Sequence, residues 1–103
     1  MTSSAWAETI KLGAVLAVTG PASFLGGPEA RTLEMLVEEV NAKGGINGKK
    51  IELLVEDDVC KPEVATNSAT KLVSEGAQVV LGHICSGATV AAMPIYRDAK
   101  VLV

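Results

Sequence analysis

Gln78 to Thr89, QVVLGHICSGAT, passes from a short apolar run through Gly82-His83 into Cys85-Ser86-Gly87, immediately ahead of an alanine-rich segment. A brief apolar run that gives way to helix-forming residues reads as a strand over Gln78 to Leu81 followed by a helix from Ser86 to about Ala99. A cysteine and a serine at that junction fit three chemistries: a nucleophile on a sharp turn, a helix cap with a structural disulfide, or an edge that receives an anionic ligand.

The same strand-to-helix alternation recurs on both sides. Ile10 to Val18, IKLGAVLAV, is nearly continuous in apolar residues and ends at Thr19-Gly20-Pro21, which predicts a strand buried on both faces and then a turn. A loop carrying Phe24, Leu25, Gly26 and Gly27 is expected next, with Pro28 in the first turn of a helix. That helix places Ala30, Leu33, Val37 and Val40 on one face and stops at Lys43-Gly44-Gly45. Asn47-Gly48 predicts a turn, Lys50 to Glu56 a strand ending at Asp57-Asp58, and Pro62 opens a helix with Ala65, Ala69, Leu72 and Val73 inward and Gly76 at its end. Val101 to Val103 reads as the start of a fourth strand. The expected fold is α/β: an open parallel sheet in the flavodoxin-like order 2-1-3-4 with helices on both faces. A break inside an apolar strand is expected to mark a truncated half-lobe of a longer protein.

Composition removes several function classes. With a net charge of -3 over 103 residues there is no basic stripe for phosphates, and no nucleic-acid partner is expected. No apolar run reaches the roughly 18 to 20 residues of a membrane-spanning helix. Residues 1 to 7 include Ala5-Trp6-Ala7, a small-x-small pattern that fits a signal-peptidase remnant or a plain tail, with the domain proper from residue 8 onward. One histidine and two cysteines give no zinc spacing, so neither metal nor cofactor is expected.

In open α/β sheets ligands bind beyond the carboxyl ends of the strands, at the switch in strand order. Thr19 to Gly27, Asp57 to Lys61 and His83 to Thr89 all lie there. Ser86 suits an N-cap whose neighbouring N–H groups attract a carboxylate, or a cap that serves only its own helix. The nucleophile fares worse, because Cys85-Ser86-Gly87 is not a G-x-S-x-G elbow and no spare acid and base are evident for a triad, His83 being the only histidine. A packed or hydrogen-bonded structural role is expected for His83, and a solvated or capping role for Asp57-Asp58 rather than a phosphoacceptor or metal site. Cys60 and Cys85 fall at the same end of the sheet and should pair in an exported protein, or stay as free thiols in cytosol.

Three segments, IKLGAVLAVTGPASFLG (10–26), VEEVNAKGGINGKKIELLVEDDVCKP (37–62) and GHICSGATVAAMPIY (82–96), carry a resemblance. The chain resembles the first lobe of type I periplasmic binding proteins, in the leucine/isoleucine/valine-binding branch that serves ABC importers. The resemblance implies a non-catalytic, exported protein that binds an amino acid or other small carboxylate and docks an ABC permease. It implies that Ser86 hydrogen-bonds the ligand carboxylate, that Gly87, Phe24 and Leu25 face the ligand, and that Cys60 and Cys85 form a disulfide. Leu25 stands where leucine binders often carry tyrosine, and SFLGGPEARTLEML is similar to relatives that take aromatic carboxylates. The alternative is a flavodoxin-like half-lobe with no ligand activity. Weak ligand affinity and a homodimer formed through the exposed sheet edge are also expected.

Overall fold

A computed structural model describes residues 9–103; the reading of residues 1 to 7 as a signal remnant lies outside the described residues. The elements run in chain order as β1 (Thr9–Leu16), α1 (Ser23–Ala42), β2 (Lys50–Asp57), α2 (Pro62–Ser74), β3 (Val79–Gly82) and α3 (Ser86–Ala99). The strands form one parallel sheet in the order β2-β1-β3, with Leu12 paired to Leu53 on one side and to Val79 on the other. β1 is the central strand, which is why its sequence is apolar almost throughout rather than alternating.

Successive β1 residues alternate between two helical layers. Val15 points to the layer of α2 and α3, where Ala69, Leu72, Val80, Ala92 and Tyr96 close around it in the main core. Gly13 faces the same layer and is tightly packed: a Cβ there would come within 3.0 Å of Leu72 and 3.2 Å of Val80. Ala14 and Leu16 point the other way, towards the buried Ala30 and Val37 of α1. Helices therefore cover both faces, as expected.

The expected fourth strand is reduced to a single parallel bridge between Val79 and Leu102, closed by Val80 N–H donating to the Leu102 carbonyl at 2.8 Å. The order 2-1-3 holds, and the fourth position is marked by that one bridge. A second difference lies at α1, which starts at Ser23 rather than at Pro28. Proline is disfavoured in a helix interior because it lacks an N–H, but in the second turn it forfeits only one bond, to the Phe24 carbonyl. Phe24 and Leu25 are thus in the first turn of α1 and not in a loop.

The turn between α1 and β2 has a physical reason for its residues. The Asn41 side chain meets the backbone of Ile51, accepting from its N–H and donating to its carbonyl, both at 2.8 Å. That amide pairs one N–H and one carbonyl on the outer edge of β2, which has no neighbouring strand among the described residues. Gly45 has φ +82 and a Cβ there would lie 1.9 Å from the Lys49 carbonyl oxygen, so only glycine fits. Asn47 and Gly48, both at positive φ, make the two-residue turn between the paired Ile46 and Lys49.

Candidate functional site

Three loops meet at the carboxyl end of the sheet: Ala17 to Ala22 after β1, Asp58 to Lys61 after β2, and His83 to Cys85 after β3. The two adjacent aspartates at the end of β2 face opposite ways and hold the loops on either side. Asp57 turns to the β1 loop: its carboxylate accepts from Val18 N–H at 2.9 Å, from Thr19 N–H at 3.1 Å and from the Thr19 hydroxyl, and also from its own loop at Val59 N–H. Partial burial alone would raise its pKa, but these hydrogen bonds, that of the Thr19 hydroxyl foremost, outweigh burial and hold the carboxyl below the ordinary aspartate value.

Asp58 is not solvated; it is wholly buried. One oxygen accepts from Cys60 N–H at 2.9 Å, and the other meets His83 Nδ1 at 2.7 Å. A carboxylate only accepts, so Nδ1 carries the proton and Nε2 is left facing the Tyr96 hydroxyl at 3.0 Å. His83 is therefore hydrogen-bonded and structural, as the sequence predicts, although with a partner at each nitrogen that the sequence does not announce. Burial, with a smaller contribution from the Asp58 charge, pushes the Tyr96 phenol up to about 12, so it stays protonated and can donate to Nε2 at neutral pH.

The backbone between these groups is strained. Val59 and Cys60 both have left-handed φ, 53° and 61°, and a β-branched residue there is an outlier. Each such residue costs on the order of 1 to 2 kcal/mol, which the Asp57 and Asp58 carboxylates offset by accepting the Val59 and Cys60 N–H groups. The disulfide between Cys60 and Cys85, with Cα atoms 5.4 Å apart, ties this segment to the start of α3.

Ser86 does not cap α3. Cys85 occupies the N-cap position, without a side-chain cap bond, and Ser86 is the first helical residue. The Thr89 hydroxyl turns back to the Cys85 carbonyl at 3.0 Å, so the bonding at this terminus comes from inside the helix. The Ser86 hydroxyl is exposed and has no hydrogen-bond partner among the described residues. Ser86 and Gly87 precede the first intrahelical bond, Thr89 N–H to Cys85 at 3.0 Å, and their exposed N–H groups sit at the positive end of the helix dipole. Phe24 and Leu25, 72% and 44% exposed, project from the first turn of α1 at the same end of the sheet. Two open concavities lie on the α1 face instead. One of about 830 Å³ is lined by Arg31, Glu38 and Val55, and one of about 380 Å³ by Leu16, Leu36 and Leu81; neither includes Ser86, Gly87, Phe24 or Leu25.

The family model for periplasmic binding proteins matches residues 9–103. The chain belongs to the periplasmic binding protein family. Among relatives in this family, the Leu/Ile/Val-binding protein of Escherichia coli K12 is 42% identical over 98 residues, which is 95% of this chain and 27% of that protein. The branched-chain amino acid transporter substrate binding protein LivJ from Streptococcus pneumoniae, solved with isoleucine, superposes with a TM-score of 0.85 at 35% identity, covering 90% of this chain and 27% of that one. A solute binding protein of an ABC transporter from Rhodopseudomonas palustris BisB5, solved with 3,4-dihydroxybenzoic acid, gives a TM-score of 0.82 at 26% identity, over 91% of this chain and 26% of that one. This periplasmic binding protein chain thus spans about 27% of the length of the curated relative it matches. No helix among the described residues is long and apolar enough to cross a membrane.

Proposed function

We propose that this chain carries the carboxylate-binding edge of an exported, non-catalytic solute-binding protein of an ABC importer, which takes branched-chain amino acids or related small carboxylates and delivers them to a permease. The observation that carries this reading is the exposed start of α3, where the Ser86 hydroxyl and the Ser86 and Gly87 N–H groups are free to accept an anion at the carboxyl end of a parallel sheet. Family membership supports it, as do relatives named for leucine, isoleucine and valine. Leu25, together with a structural neighbour solved with a dihydroxybenzoate, keeps aromatic carboxylates in the substrate class.

Affinity in the 103-residue chain is expected to be millimolar or weaker. A ligand on an open edge leaves one side in water, whereas tight small-molecule sites bury most of the ligand surface. Calorimetric titration with leucine, valine and benzoate tests this: weak, millimolar-range binding of at least one supports the reading, and a micromolar dissociation constant for any of them contradicts the expected weakness. Self-association through the sheet edge beyond β3 belongs to the same reading, since Leu81, Leu102 and Val103 are exposed there. Sedimentation equilibrium yielding a single 10.6 kDa species at all concentrations would exclude it.

A further inference from the structure

We propose that Asp58, His83 and Tyr96 form a positioning latch that sets where the Cys85-Ser86-Gly87 turn sits over the end of the sheet. The three side chains are a continuous buried chain from the end of β2, through the end of β3, to the third turn of α3. Every buried polar side-chain atom among the described residues has a partner, so the chain is fully satisfied. Apolar residues of similar volume would fill this space without the desolvation that an Asp–His pair requires, so packing alone does not account for it. A satisfied polar chain fixes direction as well as distance.

The latch is placed to act on the turn. Asp58 stands two positions before Cys60 and His83 two positions before Cys85, so the hydrogen-bonded link and the covalent link join the same two loops. Asp58 is itself anchored, donating its N–H to the Leu16 carbonyl at 3.2 Å and accepting from Lys61 N–H at 2.9 Å. From the other side, the Thr89 hydroxyl reaches the His83 carbonyl at 3.3 Å, so α3 is fastened to His83 near its first turn and again at Tyr96. Ser86 lies between the disulfide at Cys85 and the fastening at Thr89, with no hydrogen bond from its side chain. Two links across the same pair of loops are thermodynamically coupled: whatever the latch contributes to bringing the sulfurs together, the disulfide returns to the latch.

The test uses the 103-residue chain with Asp58→Asn, His83→Gln and Tyr96→Phe, and Leu72→Ala as a core variant that leaves the chain of hydrogen bonds intact. The first readout is the dithiol–disulfide equilibrium against a glutathione buffer. The latch predicts that Asp58→Asn and His83→Gln lower the effective concentration of the paired thiols about tenfold or more, while Leu72→Ala changes it by less than about twofold. If a reduced variant does not stay folded, the second readout decides: amide exchange of Thr89, Val90 and Ala91, the first hydrogen-bonded amides of α3, relative to Val15 in the oxidised proteins. Exchange in that turn is expected to rise about tenfold in Tyr96→Phe, the mildest change, with no such rise in Leu72→Ala. Equal thiol equilibria across the variants, or turn exchange in Tyr96→Phe that merely follows global stability, overturns the proposal. The purpose assigned to the turn rests on the binding reading above, but neither readout involves ligand, so a chain that fails to bind leucine still decides the question.

Discussion

Gly26 and Gly27 are adjacent in the first turns of α1, and alanine is expected to be costly at the first and close to neutral at the second. An exposed helical glycine replaced by alanine gains up to about 1 kcal/mol, because the unfolded chain loses freedom and the helix does not. At Gly27 the added Cβ meets the flexible end of Arg31, 3.7 Å away, and the ring of Pro28 next in the chain, which crowds any Cβ before it in a helix and offsets much of that gain, leaving a change within about 1 kcal/mol of zero. At Gly26 the Cβ would lie 2.0 Å from the Ala17 carbonyl oxygen and 2.4 Å from its carbon, both backbone atoms of the segment leaving β1. Ordinary contact would require α1 to retreat by roughly 1 Å, loosening the buried Ala30 and Val37 that seal this face. Overpacking of this kind costs about 1 to 3 kcal/mol, and the lost burial adds to it, so a net destabilisation of about 2 kcal/mol remains after the helix gain. Urea denaturation of the oxidised proteins measures both variants against the parent. A Gly26→Ala protein as stable as Gly27→Ala would refute the close packing of α1 on the end of β1.

Other outcomes follow from the strand-end groups. Tyr96 is the only tyrosine, so tyrosinate absorbance should titrate near pH 12 in the folded protein and near the ordinary value of 10 in urea. Because the folded pKa is raised, the corresponding stability is full below pH 10 and declines as pH rises towards 12, by on the order of 3 kcal/mol in total. A native midpoint at pH 10 would mean that the phenol is solvated. Asp57, whose folded pKa is lowered, contributes stability that is present above the ordinary value of 3.8 and lost as pH falls below it; Asp57→Asn should show a smaller loss over that acid range in thermal melts. Intact mass without reductant should lack the two hydrogens of free Cys60 and Cys85 thiols, and reduction should lower stability by about 3 to 4 kcal/mol for a separation of 25 residues.

The sheet was legible because β1 is apolar almost throughout, Lys11 apart, a pattern that suits a central parallel strand, and because Pro62, Gly76 and Asn47-Gly48 punctuate the chain where the elements change. The start of α1 was not legible. Pro28 looks like a first-turn residue, and nothing local signals that Gly26 is small because a backbone passes within contact distance of it. The fourth strand was over-read, since three apolar residues suffice for a single bridge but not for a ladder. At the site, the pairing of Cys60 with Cys85 and the structural character of His83 were within reach of sequence reasoning. The separate duties of Asp57 and Asp58 were not, because alternation along a strand sends neighbours to opposite sides without saying which loop each carboxylate will meet. Tyr96 carried a faint signal: it is the one aromatic residue on the inward stripe of α3, in line with Ala88 and Ala92.

The central claim is that the open start of α3 receives a carboxylate, and amide-resolved titration of the 15N-labelled chain tests it most directly. Leucine and leucinamide share a side chain and an ammonium group and differ in the carboxylate. With millimolar leucine the largest shifts are expected at Ser86 and Gly87, with smaller ones at Phe24 and Leu25, and leucinamide should leave Ser86 and Gly87 unmoved. Equal shifts with both compounds, or leucine-induced shifts confined to the groove beside Leu36 and Leu81, would contradict the account.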